Sequence, residues 1–135
     1  MPGYSGTPLP KKLGIKDGFR VRLVNMPPDV KKELKSDLAK CEILSNDAAD
    51  VDFAITFTKT QNELESEFKR VAKVLSPAGM FWVSWPKKTS GVATNVTENM
   101  VRDTGLAVGL VDVKVCAITD IWSGLKFMRR LKDRK

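Results

Sequence analysis

The segment Lys73–Gly91, KVLSPAGMFWVSWPKKTSG, constrains the fold more than any other part of this chain. Leu64, Phe68, Val71, Ala72 and Leu75 recur at helical spacing and lead up to Ser76 and Pro77, so an amphipathic helix ends there. Thr60 and Glu63, just before it, have the spacing of a capping box. Ala78 and Gly79 then turn the chain into Met80–Trp85, a strand with bulky residues on both faces, as the middle of a parallel sheet requires. A helix feeding a two-sided strand implies helices packed on a sheet. The strand runs out into a basic loop, Pro86–Gly91.

The rest of the chain fits around this unit. Arg20–Asn25 alternates basic and apolar side chains and reads as the first strand, stopped by Pro27 and Pro28, which cannot donate to a ladder. Asp29 is a candidate N-cap for a helix whose Val30, Leu34 and Leu38 face the sheet while Lys31, Lys32 and Lys35 stay in water. Cys41–Leu44 is a short second strand, and Val51–Thr58 is a central strand entered through the turn SNDAAD. Thr97 caps a third helix, Val96 staples to Val101, and Gly109 ends it. Asp112–Thr119 and Leu125–Leu131 are two further strands, joined as an antiparallel hairpin by a loop that carries Trp122 and Gly124.

The expected architecture is a single-domain, three-layer, Rossmann-like α/β sandwich. Its mostly parallel six-stranded sheet has order 2-1-3-4-6-5, with strand 6 antiparallel. Residues 1–18 read as an extended arm in which Pro10–Leu13 can form one turn, residues 19–131 as the domain, and residues 132–135 as a basic tail.

Composition narrows the chemistry. A chain of 135 residues, 42% of them hydrophobic, supports one core. With no apolar run of about 18 residues and no apolar stretch in MPGYSGTPLPKK, a cytoplasmic location is expected. Cys41 and Cys116, far apart and outside any Cys-x-x-Cys pair, read as buried free thiols. Histidine is absent, which removes the usual base near neutral pH and every imidazole-dependent triad or metal site. The net charge of +7 favours anionic partners without choosing among them.

The helix end KVLSPAGMFWVSW resembles the turn and following strand of class I S-adenosylmethionine-dependent methyltransferases, and GLVDVKV resembles their entry into the penultimate strand. The closing antiparallel hairpin is similar to theirs, and the likeness spans about residues 20–131. A closer match, to a family of small bacterial proteins classed as a domain of unknown function, rests on three stretches: GYSGTPLPKKLGIK at Gly3–Lys16, VSWPKKTSGVATNVTE at Val83–Glu98 and GLVDVKVCAITDIWSGLKF at Gly109–Phe127. This likeness implies a fold and supplies no catalytic residues.

The candidate sites follow from the strand ends. Methyltransferases carry a glycine-rich loop after the first strand, where the backbone approaches the cofactor; here that place holds Asn25-Met26-Pro27-Pro28-Asp29, whose prolines remove two donors and add bulk. No cofactor is therefore expected there, and S-adenosylmethionine enters only under the enzyme reading below. Asp47, Asp50 and Asp52 are possible ribose or metal ligands but suit an ordinary turn better. The favoured site is the loop after the central strand: Trp85 for stacking, Lys87 and Lys88 for charge, Thr89 and Ser90 for hydroxyls, and Gly91 for close backbone approach. Tyr4, Ser5, Gly6 and Thr7 with Lys11 and Lys12, and Trp122, Ser123 and Lys126 in the hairpin, repeat this chemistry. An arm folded over the strand ends would bring Lys11, Lys87 and Lys126 to one ligand.

Three functional readings follow. The first is a non-catalytic binding or accessory module for an anionic small molecule, such as phosphate or a nucleotide, or for a protein partner. The alternative is a methyltransferase with an atypical S-adenosylmethionine loop that has Tyr4, Asp29 and Trp85 nearby. The third is a nucleic-acid-associated protein, because Lys126–Lys135 holds six basic residues and one acidic residue. No membrane association is expected.

Overall fold

The structure is a computed structural model and describes residues 7–134. Its elements are α1 (Leu9–Leu13), β1 (Arg20–Val24), α2 (Pro28–Leu38), β2 (Glu42–Ile43), β3 (Val51–Phe57), α3 (Gln61–Val74), β4 (Leu75–Pro86), α4 (Glu98–Ala107), β5 (Leu110–Ala117) and β6 (Trp122–Arg129). One six-stranded sheet runs β2-β1-β3-β4-β6-β5, with β6 antiparallel to β4 and β5 and the other pairs parallel, as the sequence predicts.

Each face of the sheet carries its own core. On one side α3 and α4 bury Leu64, Phe68, Val71 and Val101 against Phe81, Val83 and Phe127. Phe68 meets Phe81 and Phe127 edge to face at 5.1 and 4.9 Å, the favoured aromatic geometry. On the other side α1 and α2 bury Leu9, Leu13, Val30 and Leu34 against Phe53, Trp82, Ile118 and Trp122. Both threonines cap their helices as their positions imply: the Thr60 hydroxyl accepts from the Glu63 amide at 3.2 Å, and that of Thr97 from the Met100 amide at 3.2 Å.

Four local features differ from the sequence reading. The stretch Leu9–Leu13 of the arm is helical, with Leu9 and Leu13 buried, and the Trp82 indole N–H donates to the Leu13 carbonyl at 2.8 Å. α2 begins at Pro28 rather than after Asp29, because proline's fixed φ suits the first helical position; Asp29 then lies in the first turn, where its charge meets the helix dipole favourably. β4 begins at Leu75, paired with Val51, and pairing resumes at Met80 with Phe53. The expected turn is thus a bulge inside the strand, and Gly79 is needed there because a Cβ would stand 2.7 Å from the Val51 carbonyl oxygen.

The fourth difference is in the hairpin. Trp122 and Gly124 lie in β6 rather than in the loop. The Thr119 hydroxyl accepts from the amides of Ile121 and Trp122, both at 3.1 Å, and so closes the turn earlier than composition suggests. At Gly124 the absent side chain leaves room for Ile118 and Trp82.

Candidate functional site

The sheet order reverses between β1 and β3, since the chain passes from β1 outward to β2 and then returns to the other side of β1. Open α/β sheets receive ligands beyond the carboxyl ends of the strands at such a reversal. A hollow of about 490 Å³ lies there, between the loop Asn25–Pro28 after β1 and Phe57 at the end of β3 with Lys59 and Glu63 beyond it, and Trp122 of β6 is a further wall. Asn25 adopts a left-handed backbone, φ 56°, of the kind glycine favours, and its side-chain amide donates to the Phe57 carbonyl at 3.4 Å. The two prolines remove two of the donors of the α2 end. The Asp29 and Val30 amides remain, and no side chain of a described residue caps them.

The groups around this hollow divide by role. Glu63 is occupied in holding the start of α3, accepting from the Lys59 amide at 3.3 Å and from the Thr60 hydroxyl at 3.1 Å. Lys59 forms no ion pair with a described residue. Trp122 meets Phe57 edge to face at 5.1 Å, and its indole N–H, without a protein acceptor among the described residues, is open to solvent. Sequence reasoning placed Met26 in the proline loop from which it excluded a cofactor, and it did not single out Phe57 or Lys59. Their one legible signal was position, at and just past the end of the third strand.

A second hollow, about 430 Å³, flanks the end of β4 and contains Trp85, Lys87, Lys88, Thr89 and Ser123, together with the start of α4 at Thr97–Asn99. The Lys87 amide donates to the Ile121 carbonyl at 2.8 Å, which ties this loop to the hairpin. The Ser90 hydroxyl donates to the Lys87 carbonyl at 2.6 Å and accepts from the Val92 amide, so Ser90 shapes the loop rather than lining the hollow. Gly91 takes φ 78° at the following turn. Neither Lys87 nor Lys88 has an ion-pair partner among the described residues, whereas Glu98 is paired with Arg102 at 3.1 Å.

The three lysine groups do not converge on this hollow. Lys11 is exposed on α1. Lys12 donates to the Ala117 carbonyl at 3.1 Å, and Lys114 donates to the Lys12 carbonyl at 3.3 Å, so these side chains fasten α1 to β5. Lys126 sits within β6, opposite Trp82 on one side and Lys114 on the other, well away from the strand end. Burial, and then the Lys114 charge, hold its ammonium below the ordinary lysine value. Tyr4, Ser5 and Gly6 lie outside the described residues.

Of the turn aspartates, Asp47 lines an open hollow with Lys69 and Arg70, and the other two lie among structural contacts. Asp52 accepts from the Arg20 amide at 2.9 Å and the Asp50 carbonyl accepts from the Arg20 guanidinium at 3.1 Å, both at the amino-terminal end of the sheet, opposite the two hollows. No group of three or more potential metal ligands occurs among the described residues. Cys41 and Cys116 are free and half-buried, and desolvation raises both thiols above their ordinary value. In the basic C-terminal stretch, Arg129 donates to the carbonyls of Ala72 and Leu75 at the end of α3, and Arg134 donates to the Arg129 carbonyl.

Comparison with solved structures agrees on the fold. A methyltransferase from Aquifex aeolicus dependent on S-adenosylmethionine superposes with TM-score 0.62 at 13% identity, covering 89% of this chain and 87% of that one. Magnesium protoporphyrin IX methyltransferase from Synechocystis PCC 6803, solved with bound S-adenosylhomocysteine, gives 0.61 at 10% identity, covering 90% and 78%. Fibrillarin from Aeropyrum pernix, solved with natively bound S-adenosyl-L-methionine, gives 0.56 at 13% identity, covering 93% and 70%. No curated protein matches the chain in sequence. The sheet order, the closing antiparallel β6 and these superpositions make the fold that of the class I methyltransferases. A family model described as "Protein of unknown function (DUF3052)" matches residues 10–131, and the chain belongs to that family.

Proposed function

We propose that this protein is a compact S-adenosylmethionine-dependent methyltransferase with an atypical, proline-bearing cofactor loop. The observation that carries this reading is the hollow at the β1/β3 reversal, whose volume falls in the range of small-molecule sites. Its residues fit part of such a cofactor: the free amides at the start of α2 and the Lys59 ammonium suit a carboxylate, and Phe57 and Trp122 offer apolar and stacking surface. When bound, S-adenosylmethionine supplies a methyl group activated by its sulfonium. The chain's own contribution is to orient the reactants and exclude water, since it offers no histidine base. An acceptor substrate would lie toward Trp122 and Ser123, with an anionic group held by Lys87, Lys88 and Thr89.

The second reading, a non-catalytic module that binds a phosphate- or nucleotide-like anion, draws on a different observation. β2 ends at Ile43 and is followed by Leu44 and Ser45, so no carboxylate directly follows that strand to receive ribose hydroxyls, while Lys87 and Lys88 beside the second hollow have no ion-pair partner among the described residues.

Calorimetric titration with S-adenosylhomocysteine separates the two. The methyltransferase reading expects saturable binding that a Met26→Trp substitution, which fills the first hollow, abolishes and that Lys87→Ala/Lys88→Ala leaves in place. Binding of phosphate or ATP that is lost in the lysine double variant, with none of S-adenosylhomocysteine at millimolar concentration, would replace the first reading by the second.

A further inference from the structure

The sheet ends at β2, and this edge carries an apolar hollow larger than either strand-end hollow. It measures about 770 Å³, with Leu23, Leu38 and Ile43 as its apolar floor. Ile43 is 53% exposed although it belongs to a strand. Along the rim stand Lys31, Lys32 and Lys35 of α2. None of the three is ion-paired with a described residue, so the lining charge is all of one sign. Lys31 and Lys35 are also one helical turn apart, a spacing at which like charges weaken an isolated helix.

We propose that this groove is the docking site of a partner protein's acidic amphipathic helix. An apolar stripe would enter the hollow over Leu23, Leu38 and Ile43, and carboxylates flanking the stripe would meet the three lysines, the helix-in-groove mode of recognition. α2 has 11 residues and so spans about 16 Å, room for roughly three turns of a helix laid beside it. A second copy of this chain is the poorer occupant, because two copies meeting by this face would oppose lysine to lysine in molecules that each carry a charge of +7. β2 is only two residues long, which gives an added strand little ladder to extend.

Zero-length carbodiimide coupling in cells that naturally make the protein tests this directly, because it joins a lysine amine only to a carboxylate in contact. The expected product links Lys31, Lys32 or Lys35 to aspartate or glutamate in a segment of another protein with apolar residues at helical spacing. A synthetic peptide of that segment should bind the purified full chain. The variant Lys31→Glu/Lys32→Glu/Lys35→Glu, verified as folded by its circular dichroism and melt, should weaken the peptide by about tenfold or more. Ile43→Ser, exposed and therefore safe for folding, should weaken it as well. The inference fails if the links join two copies of this chain, if no carboxylate couples to these lysines, if the triple variant binds as tightly as the parent, or if the groove instead drives binding to phosphatidylglycerol vesicles.

Discussion

Gly105 stands in the second half of α4 with its α-carbon against the Phe127 ring, so that a Cβ would lie 2.2 Å from Cε2. That ring is already fixed edge to face against Phe68. Gly105→Ala therefore gains about 1 kcal/mol of helix propensity but overpacks a core that has no free direction at a cost of about 1–3 kcal/mol, and the net expectation is a loss of up to about 2 kcal/mol in urea unfolding. Lys126 offers the opposite case. Directly across from Lys114 in an antiparallel pair, it opposes folding, and Lys126→Gln should raise stability by up to about 1 kcal/mol at low salt, less at high salt. Its folded value is lowered, so between that value and the ordinary 10.5 the unfolded chain binds more protons and the parent's stability rises with pH. The gap between parent and variant should accordingly close as pH climbs through that window in parallel melts. Neither contact was legible in the sequence, because each depends on the register of strands set by residues elsewhere.

At the scale of elements the sequence was most informative where periodicity and capping acted together. α3 and α4 begin behind Thr60 and Thr97 as their spacing implies, and Thr60→Ala should cost about 1 kcal/mol in chemical unfolding. Boundaries were least legible where one residue type serves two roles. The Ser76–Gly79 stretch has turn composition yet lies in a strand bulge, and Trp122 with Gly124 has loop composition yet pairs with Pro86 and Ser84. What joins the elements was not legible at all. Arg22, read as one basic residue of an alternating strand, is buried and bridges to Glu67 of α3 at 2.8 Å, fastening helix to sheet across 45 positions of sequence. Glu67→Ala leaves that guanidinium buried without its counter-ion and should cost about 3 kcal/mol or more, whereas Glu67→Gln, which keeps an acceptor for it, should cost less. The same blindness affected the candidate site. The loop after β4 was found from the strand it follows, but Lys126 joined it only by chemical likeness, and the fold puts that lysine within β6.

The whole molecule depends on α1 to a degree that its five residues do not suggest. Leu9 and Leu13 are almost wholly buried, and with Trp82, Ile118 and Trp122 they close the face of the sheet that α2 alone does not cover. Removal of residues 1–13 would uncover that apolar surface and leave the Trp82 indole N–H without the Leu13 carbonyl, its one acceptor among the described residues. Fully burying each leucine contributes about 1.5–3 kcal/mol, so together they approach the lower end of a small domain's total stability, about 5 kcal/mol. A chain starting at Gly14 should therefore show a broadened melt, weakened near-ultraviolet dichroism and binding of a hydrophobic dye, while keeping much of its far-ultraviolet signal. Trp122 connects this loss to function, since the residue that α1 helps to bury is also a wall of the hollow at the β1/β3 reversal. Ligand binding there should fail in the truncated chain even where secondary structure persists. A sharp, cooperative melt from the truncated chain would mean instead that residues 19–131 fold without α1 and that the helix only covers a finished sheet.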